Sequence, residues 1–184
     1  MSDKKSRLIA LLSEKSFERR KVTLASGKES DFFVDCKQTI LTAEGHALVG
    51  ELMFDALREF GEVHAVGGVE LGGCPLASAV SLISYQQGKP LPAPYVRKER
   101  KDHGSQKRIE GDKSLRPGLK VALLEDVVTT GGSSLKAVEV LREAGCTVSG
   151  IVALVDRLEG GAEAISAAGV PLVCLTTRRD FIPD

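Results

Sequence analysis

Three stretches of this chain, residues 64–69 (HAVGGV), 120–125 (KVALLE) and 149–155 (SGIVALV), are apolar almost throughout. A strand with one wet face alternates apolar and polar residues. A nearly continuous apolar run fits a strand buried on both faces, as in a parallel sheet covered by helices on each side. Segments with helical spacing separate these runs, so strands alternate with helices of 10–15 residues, the pattern of an α/β fold. The spacing predicts a short amphipathic helix over 3–16 and a hairpin formed by 21–25 and 31–35. A helix capped by Thr42 is expected to run to about Phe60, and further helices over 73–88, about 133–144 and about 160–168. Further strands are expected over 92–97 and 170–175, with 120–127 the clearest and 147–156 another buried one. The expected fold is therefore a mostly parallel twisted sheet flanked by helices. Residues 1–184 would form a single domain, with about 1–40 a small hood or flank and about 41–184 the core.

The composition is that of a soluble globular chain, with 42% hydrophobic and 27% charged residues, which excludes disordered and collagen-like classes. Twenty-five basic residues balance 25 acidic ones. A nucleic-acid binder usually shows a basic excess, so no nucleic-acid partner is expected. Cys36, Cys74, Cys146 and Cys174 form no CxxC pair and no zinc spacing, and are read as reduced thiols. The apolar run Leu8–Leu12 is too short for a signal-peptide core, and no stretch approaches the roughly 20 apolar residues of a membrane span. A cytoplasmic protein without a membrane partner is expected.

The segment VALLEDVVTTGGSS, residues 121–134, carries the strongest chemical signal. An apolar strand ends in Glu125 and Asp126, a short Thr/Gly loop follows, and a helix begins. Ligands of open α/β sheets bind beyond the C-terminal ends of strands. A helix N-terminus offers free N–H groups and the positive end of a dipole, which suits phosphate. Gly131 and Gly132 let backbone come close, while Thr129, Thr130 and Ser133 add hydroxyl donors. The carboxylates would repel a phosphate but accept hydrogen bonds from neutral sugar hydroxyls. A ribose 5-phosphate fits this description. The competing reading is an ordinary strand–turn–helix with solvated acids. The pattern is neither GxGxxG nor GxxxxGK[ST], so dinucleotide and ATP-hydrolysing sites are disfavoured.

LLEDVVTTGGSS resembles the motif of type I phosphoribosyltransferases that binds PRPP (5-phosphoribosyl 1-diphosphate). The resemblance implies PRPP contacts along Glu125, Asp126, Val127, Val128, Thr129, Thr130, Gly131, Gly132 and Ser133. It fixes the family but not the base.

Between Arg97 and Lys113 there are seven Lys/Arg against four Asp/Glu, with Gly104 and Gly111 among them. Such a run is ordinarily a solvated loop. It also suits a lid that brings cations to a departing pyrophosphate and excludes water. RKERKDHG is similar to the RKxxKxHG loop of orotate phosphoribosyltransferases. That likeness implies that Arg97, Lys98, Lys101 and His103 contact PRPP. Lys101, His103 and Asp126 would be the catalytic residues. It further implies a homodimer with shared active sites, each loop reaching the neighbouring site, and Mg²⁺ bound through PRPP rather than directly by the protein.

ASGKESDFFVDCKQ resembles the family's N-terminal segment, which implies that Phe32 and Phe33 help wall the base pocket. LVDRLEGG resembles its strand-end DR, which implies that Arg157, with Thr129 beside it, meets the carboxylate of orotate; the alternative for Arg157 is an ion pair with Asp156 or Glu159. Two departures stand out. Many members have a lysine where Ala25 stands, and a Tyr-Lys pair where this chain has Val69-Glu70-Leu71-Gly72-Gly73. Lys37 or Lys28, together with the amides of Gly72 and Gly73, are the expected substitutes at the pyrophosphate. The implied reaction joins orotate to ribose 5-phosphate in pyrimidine biosynthesis. The alternatives are a purine phosphoribosyltransferase and a PRPP-sensing regulator of the same fold.

Overall fold

The computed structural model describes residues 2–23, 29–98 and 108–182. The chain begins with α1 (Ser2–Lys15) and the antiparallel hairpin β1 (Phe17–Thr23) and β2 (Glu29–Val34). Then come α2 (Lys37–Ile40), α3 (Ala43–Ala56), β3 (Ala65–Val69), α4 (Gly73–Gln86) and the short strands β4 (Tyr95–Val96) and β5 (Ile109–Glu110). The last part holds β6 (Lys120–Val128), α5 (Gly132–Glu143), β7 (Thr147–Asp156), α6 (Gly161–Ala167) and β8 (Leu172–Thr177). The main sheet has the order β5-β4-β3-β6-β7-β8 and is parallel except at the β4–β5 edge.

Alternation along the buried strands builds two cores. Val66, Ala122, Leu124, Val152 and Leu154 face one side, where they join residues of α1, α3 and α4 such as Leu8, Met53 and Leu76. Their neighbours Ala65, Val121, Leu123, Ile151 and Ala153 face the other, with Val138, Leu141 and Ile165 of α5 and α6. Successive side chains of a strand point to opposite faces, so an unbroken apolar run is what two covered faces require. The hairpin is sealed to the chain's end by Phe17, Phe32 and Phe181, with ring centroids 5.1–5.7 Å apart. No helix among the described residues is long and apolar enough to cross a membrane.

Four expected elements shift, the first being the hairpin, expected over 21–25 and 31–35, whose strands run over Phe17–Thr23 and Glu29–Val34. Regular pairing in the 92–97 stretch narrows to Tyr95–Val96 because Pro92 and Pro94 have no N–H; their carbonyls still accept from Val66 and Gly68, each at 3.0 Å. The last strand starts at Leu172 because Val170 donates back to Ile165 of α6 and Pro171 can only accept, from Ile151. The helix from Thr42 ends at Ala56 and tightens into a 3₁₀ turn over Leu57–Phe60.

Thr42 caps α3 as expected: its hydroxyl accepts from Gly45 N–H at 3.1 Å and donates to the Thr39 carbonyl at 2.8 Å. Thr42→Ala should cost about 1 kcal/mol and lower the melting temperature by about 2–4 °C. A calorimetric melt unchanged to within half a degree, roughly the error of such a scan, would refute that role for the cap.

Candidate active site

β6 is hydrogen-bonded on both sides only as far as Leu124. Its pairing with β3 ends at Gly68–Leu124, while pairing with β7 continues to Val128–Asp156. Beyond Val69, which pairs only with β4, the chain leaves the sheet through the turn 70–72 and enters α4. Glu125 and Asp126 therefore stand where one flank of the strand opens, at the C-terminal edge of the sheet. The buried run Val121–Leu124 carries Glu125 inward, leaving it 4% exposed, whereas Asp126 is only part-buried.

Close backbone packing frames this edge. A Cβ on Gly72 would collide with the Asp126 carboxylate, and one on Gly73 with the Leu124 carbonyl. On the far side, a Cβ on Gly161 would lie 2.5 Å from both the Thr129 carbonyl and Val128 Cγ1. The turn into α4 and the start of α6 thus clamp the end of β6. Gly131, with φ 79°, is the N-cap of α5 and lacks a side chain to cap it. The first amides of α5 have no partner within the helix, and Gly132 and Ser133 are exposed beside Thr130.

Electrostatics are dominated by Glu125. Burial first, then the neighbouring Asp126 charge and a hydrogen bond with its side chain, push Glu125 up to about 8. Ser134 Oγ, which donates to Glu125 Oε2 at 2.9 Å, and the charge of Lys98 act against that rise. Lys98 itself is tied down where its amide donates to Glu70 Oε1 at 2.6 Å. From the N-terminal segment, Lys37 pairs with Asp35 at 2.6 Å and also feels the Asp126 charge, and both hold its ammonium more strongly protonated. The buried Cys36 thiol donates to the Asp126 carbonyl at 3.8 Å.

Arg157 follows β7, and its amide donates to the Val128 carbonyl at 3.0 Å. Its guanidinium Nη2 donates to the Phe32 carbonyl at 2.9 Å and meets Glu159 Oε1 at 2.9 Å. The ion pair with Glu159 weighed as an alternative is thus present. Phe32 and Phe33, expected to help wall the base pocket, present their rings to different neighbours. Neighbours on a strand point to opposite sides. The Phe32 ring is fully buried between Phe17 and Phe181 and lies 5.6 Å from the Arg157 guanidinium, which also bonds the Phe32 carbonyl, while Phe33 lies under the Arg20 guanidinium at 3.9 Å.

Arg97 and Lys98 follow β4, and Arg97 N–H bonds the Arg108 carbonyl at 2.8 Å, so the basic segment is rooted in the β4–β5 ribbon beside Glu70. Lys101, His103 and Lys28 lie outside the described residues. Among the expected site residues, the structure gathers Glu125, Asp126, Thr129 to Ser133, Lys37, Lys98, Gly72 and Gly73 around one edge. Arg157 stands one strand over. Sequence reasoning missed Ser134, Cys36 and Gly161. Ser134 had a signal: it occupies the first position of the buried stripe Ser134, Ala137, Val138, Leu141, where a polar residue calls for a partner.

The family described as Phosphoribosyl transferase domain matches residues 38–169. The orotate phosphoribosyltransferase of Sorangium cellulosum (strain So ce56) is 68% identical over 183 residues, covering 100% of this chain and 95% of that protein. Its counterpart from Bradyrhizobium sp. (strain BTAi1) is 45% identical, with 98% of each covered. Among solved structures, Mycobacterium tuberculosis orotate phosphoribosyltransferase in complex with PRPP superposes with a TM-score of 0.79 at 35% identity, over 97% of this chain and 98% of the other.

The raised Glu125 makes a signed prediction about stability. Between its ordinary 4.5 and about 8, the folded state holds a proton that the unfolded chain has lost. Stability contributed by this group therefore falls as pH rises through that window. Glu125→Gln keeps an oxygen for Ser134 but never ionises. It should match wild type near pH 5 and melt several degrees higher near pH 9, a gap on the order of a few kcal/mol. Thermal melts across that range check this; a gap independent of pH would contradict it.

Proposed function

The chain belongs to the phosphoribosyltransferase family, and from that premise we infer that it transfers ribose 5-phosphate from PRPP to orotate. The products are orotidine 5′-monophosphate and pyrophosphate, a step of pyrimidine biosynthesis. One observation carries the reading: a carboxylate pair at an open strand edge, followed at once by the uncapped amides of α5. Carboxylates suit the 2′- and 3′-hydroxyls of a ribose, and orphan amides suit its 5-phosphate. In this arrangement Glu125 and Asp126 hold the sugar. Thr129, Thr130, Gly131, Gly132 and Ser133 hold the phosphate.

The C1′–pyrophosphate bond loosens, positive charge builds on the sugar, and a ring nitrogen of orotate attacks C1′ from the opposite face. No covalent intermediate with the enzyme is needed. Most of the acceleration comes from positioning and from cations around the departing pyrophosphate. Lys98, Arg97, Lys101 and His103 supply those cations, and Lys37 takes the place of the family's missing lysine, which its position beside Asp126 supports. Gly72 and Gly73 offer amides on the same side. A hard cation fits an edge carrying two carboxylates: Mg²⁺ would ride on PRPP oxygens and neutralise the leaving group's charge.

Arg157 is assigned to the orotate carboxylate. A planar guanidinium matches a planar carboxylate through paired hydrogen bonds, which neutral purines cannot reproduce. We also assign a homodimer with shared active sites. In support, Leu41, Leu82 and Tyr85 are 68%, 54% and 74% exposed around α4, an apolar face suited to a second copy. A cytoplasmic location belongs to the same reading, in keeping with four free cysteines.

Pyrophosphate release with Mg²⁺ and PRPP, measured against orotate, adenine, hypoxanthine and guanine in turn, should occur with orotate; release with a purine in its place overturns the assignment. Arg157→Ala should raise KM for orotate at least about tenfold while KM for PRPP changes less than about twofold. Equal rises in both would remove Arg157 from the base site. Lys101→Ala and Asp126→Asn should each be nearly inactive alone, yet mixed dimers should regain up to about a quarter of wild-type turnover. No recovery on mixing would mean that the sites are not shared.

A further inference from the structure

Ser134 is the third residue of α5, 2% exposed, and its hydroxyl donates to Glu125 Oε2 at 2.9 Å. The other members of its helical stripe, Ala137, Val138 and Leu141, are apolar and buried. A hydroxyl at such a core position is costly unless bonded, and bonding to a carboxylate is the strongest arrangement available to it. The bond spans two subsites. Its donor sits in the first turn of α5, whose amides face the phosphate. Its acceptor ends β6, where the sugar is held. The chain between them runs from the end of β6 through the turn 129–131 into α5.

We propose that Ser134 is a positioning residue for phosphoribosyl transfer, holding Glu125 in the orientation that receives the ribose and locking the sugar subsite to the phosphate subsite. This rests on the reading of Glu125 as a ribose-binding group. By holding Oε2, the hydroxyl fixes the side-chain torsions, so that a sugar hydroxyl meets the carboxyl on the side it shares with Asp126. It also favours the acceptor form of Glu125. The other groups facing Glu125 are Asp126 on β6, Lys98 beyond β4 and the Cys74 thiol at the start of α4. Lys98 also favours the charged carboxylate, but it is exposed and reaches in from the ribbon, whereas Ser134 is fixed in a buried helical turn.

The test compares wild type with Ser134→Ala, Ser134→Thr and Ser134→Cys, measuring kcat and KM for PRPP with saturating orotate from pH 6 to 9. Ser134→Ala should raise KM for PRPP near neutrality about tenfold and change kcat by no more than about threefold. The acid limb of kcat/KM should move to higher pH. Ser134→Thr keeps the hydroxyl and should restore both. Ser134→Cys, similar in volume with a weaker donor, should fall between and serves if the alanine variant does not fold. A wild-type KM and pH profile in Ser134→Ala overturns the proposal, as does a pH-independent loss that threonine fails to restore. Wild-type protein inactive with orotate and PRPP would defeat the functional reading itself; an active wild type with indifferent Ser134 variants defeats only the role of Ser134.

Discussion

A carboxylate carried into the protein at the end of a central strand constrains everything near it. Val121 to Leu124 are buried on both faces and β7 continues to pair with β6 up to Val128, so Glu125 cannot turn out to solvent. An unpaired buried charge would cost several kcal/mol. Here Asp126 makes that cost larger, and Ser134 and Lys98 offset only part of it. The result is a carboxyl fixed in place before any ligand arrives, which keeps its proton in the folded state up to about 8. A fixed carboxyl suits a site whose catalysis depends on preorganised groups.

The anions and the cations are held differently. Glu125, Asp126 and the turn that follows them are fixed by close contacts at glycines: Gly72 against Asp126, Gly73 against Leu124, Gly161 against Thr129. The cations come from outside the sheet. Lys98 stands at the tip of the two-residue ribbon β4, Lys37 on a one-turn helix behind the hairpin, and Arg157 against the hairpin's own carbonyl. A rigid sugar and phosphate cradle combined with cations on peripheral segments fits a reaction whose leaving group must be neutralised and then released.

Much of this was legible in the residues. The buried strands 120–127 and 147–156 and the helices they alternate with follow from period and polarity, and the glycine-rich loop from its chemistry. Illegible features were those set by pairing across the chain. Pro92 and Pro94 halve a strand's ladder without leaving the sheet. The two-residue β5 has too little sequence to show a period. Gly161 reads as a helix start, and only the fold reveals that it props Thr129. Phe32 and Phe33 read as one motif, yet strand alternation gives their rings different neighbours.

The pair between Arg157 and Glu159 bears on how an anionic base is chosen. Their side chains are 11% and 19% exposed, so separating them in place leaves both charges poorly solvated. A neutral purine would have to accept that cost or bind without the guanidinium. Orotate brings its own carboxylate, so in the proposed reading Arg157 would exchange one anion for another and keep its charge compensated. The Phe32 carbonyl, bonded to the same guanidinium, holds Arg157 in place. On this view discrimination arises because neutral competitors leave a buried cation unpaired, and a charged group left unpaired separates ligands more sharply than pocket shape alone.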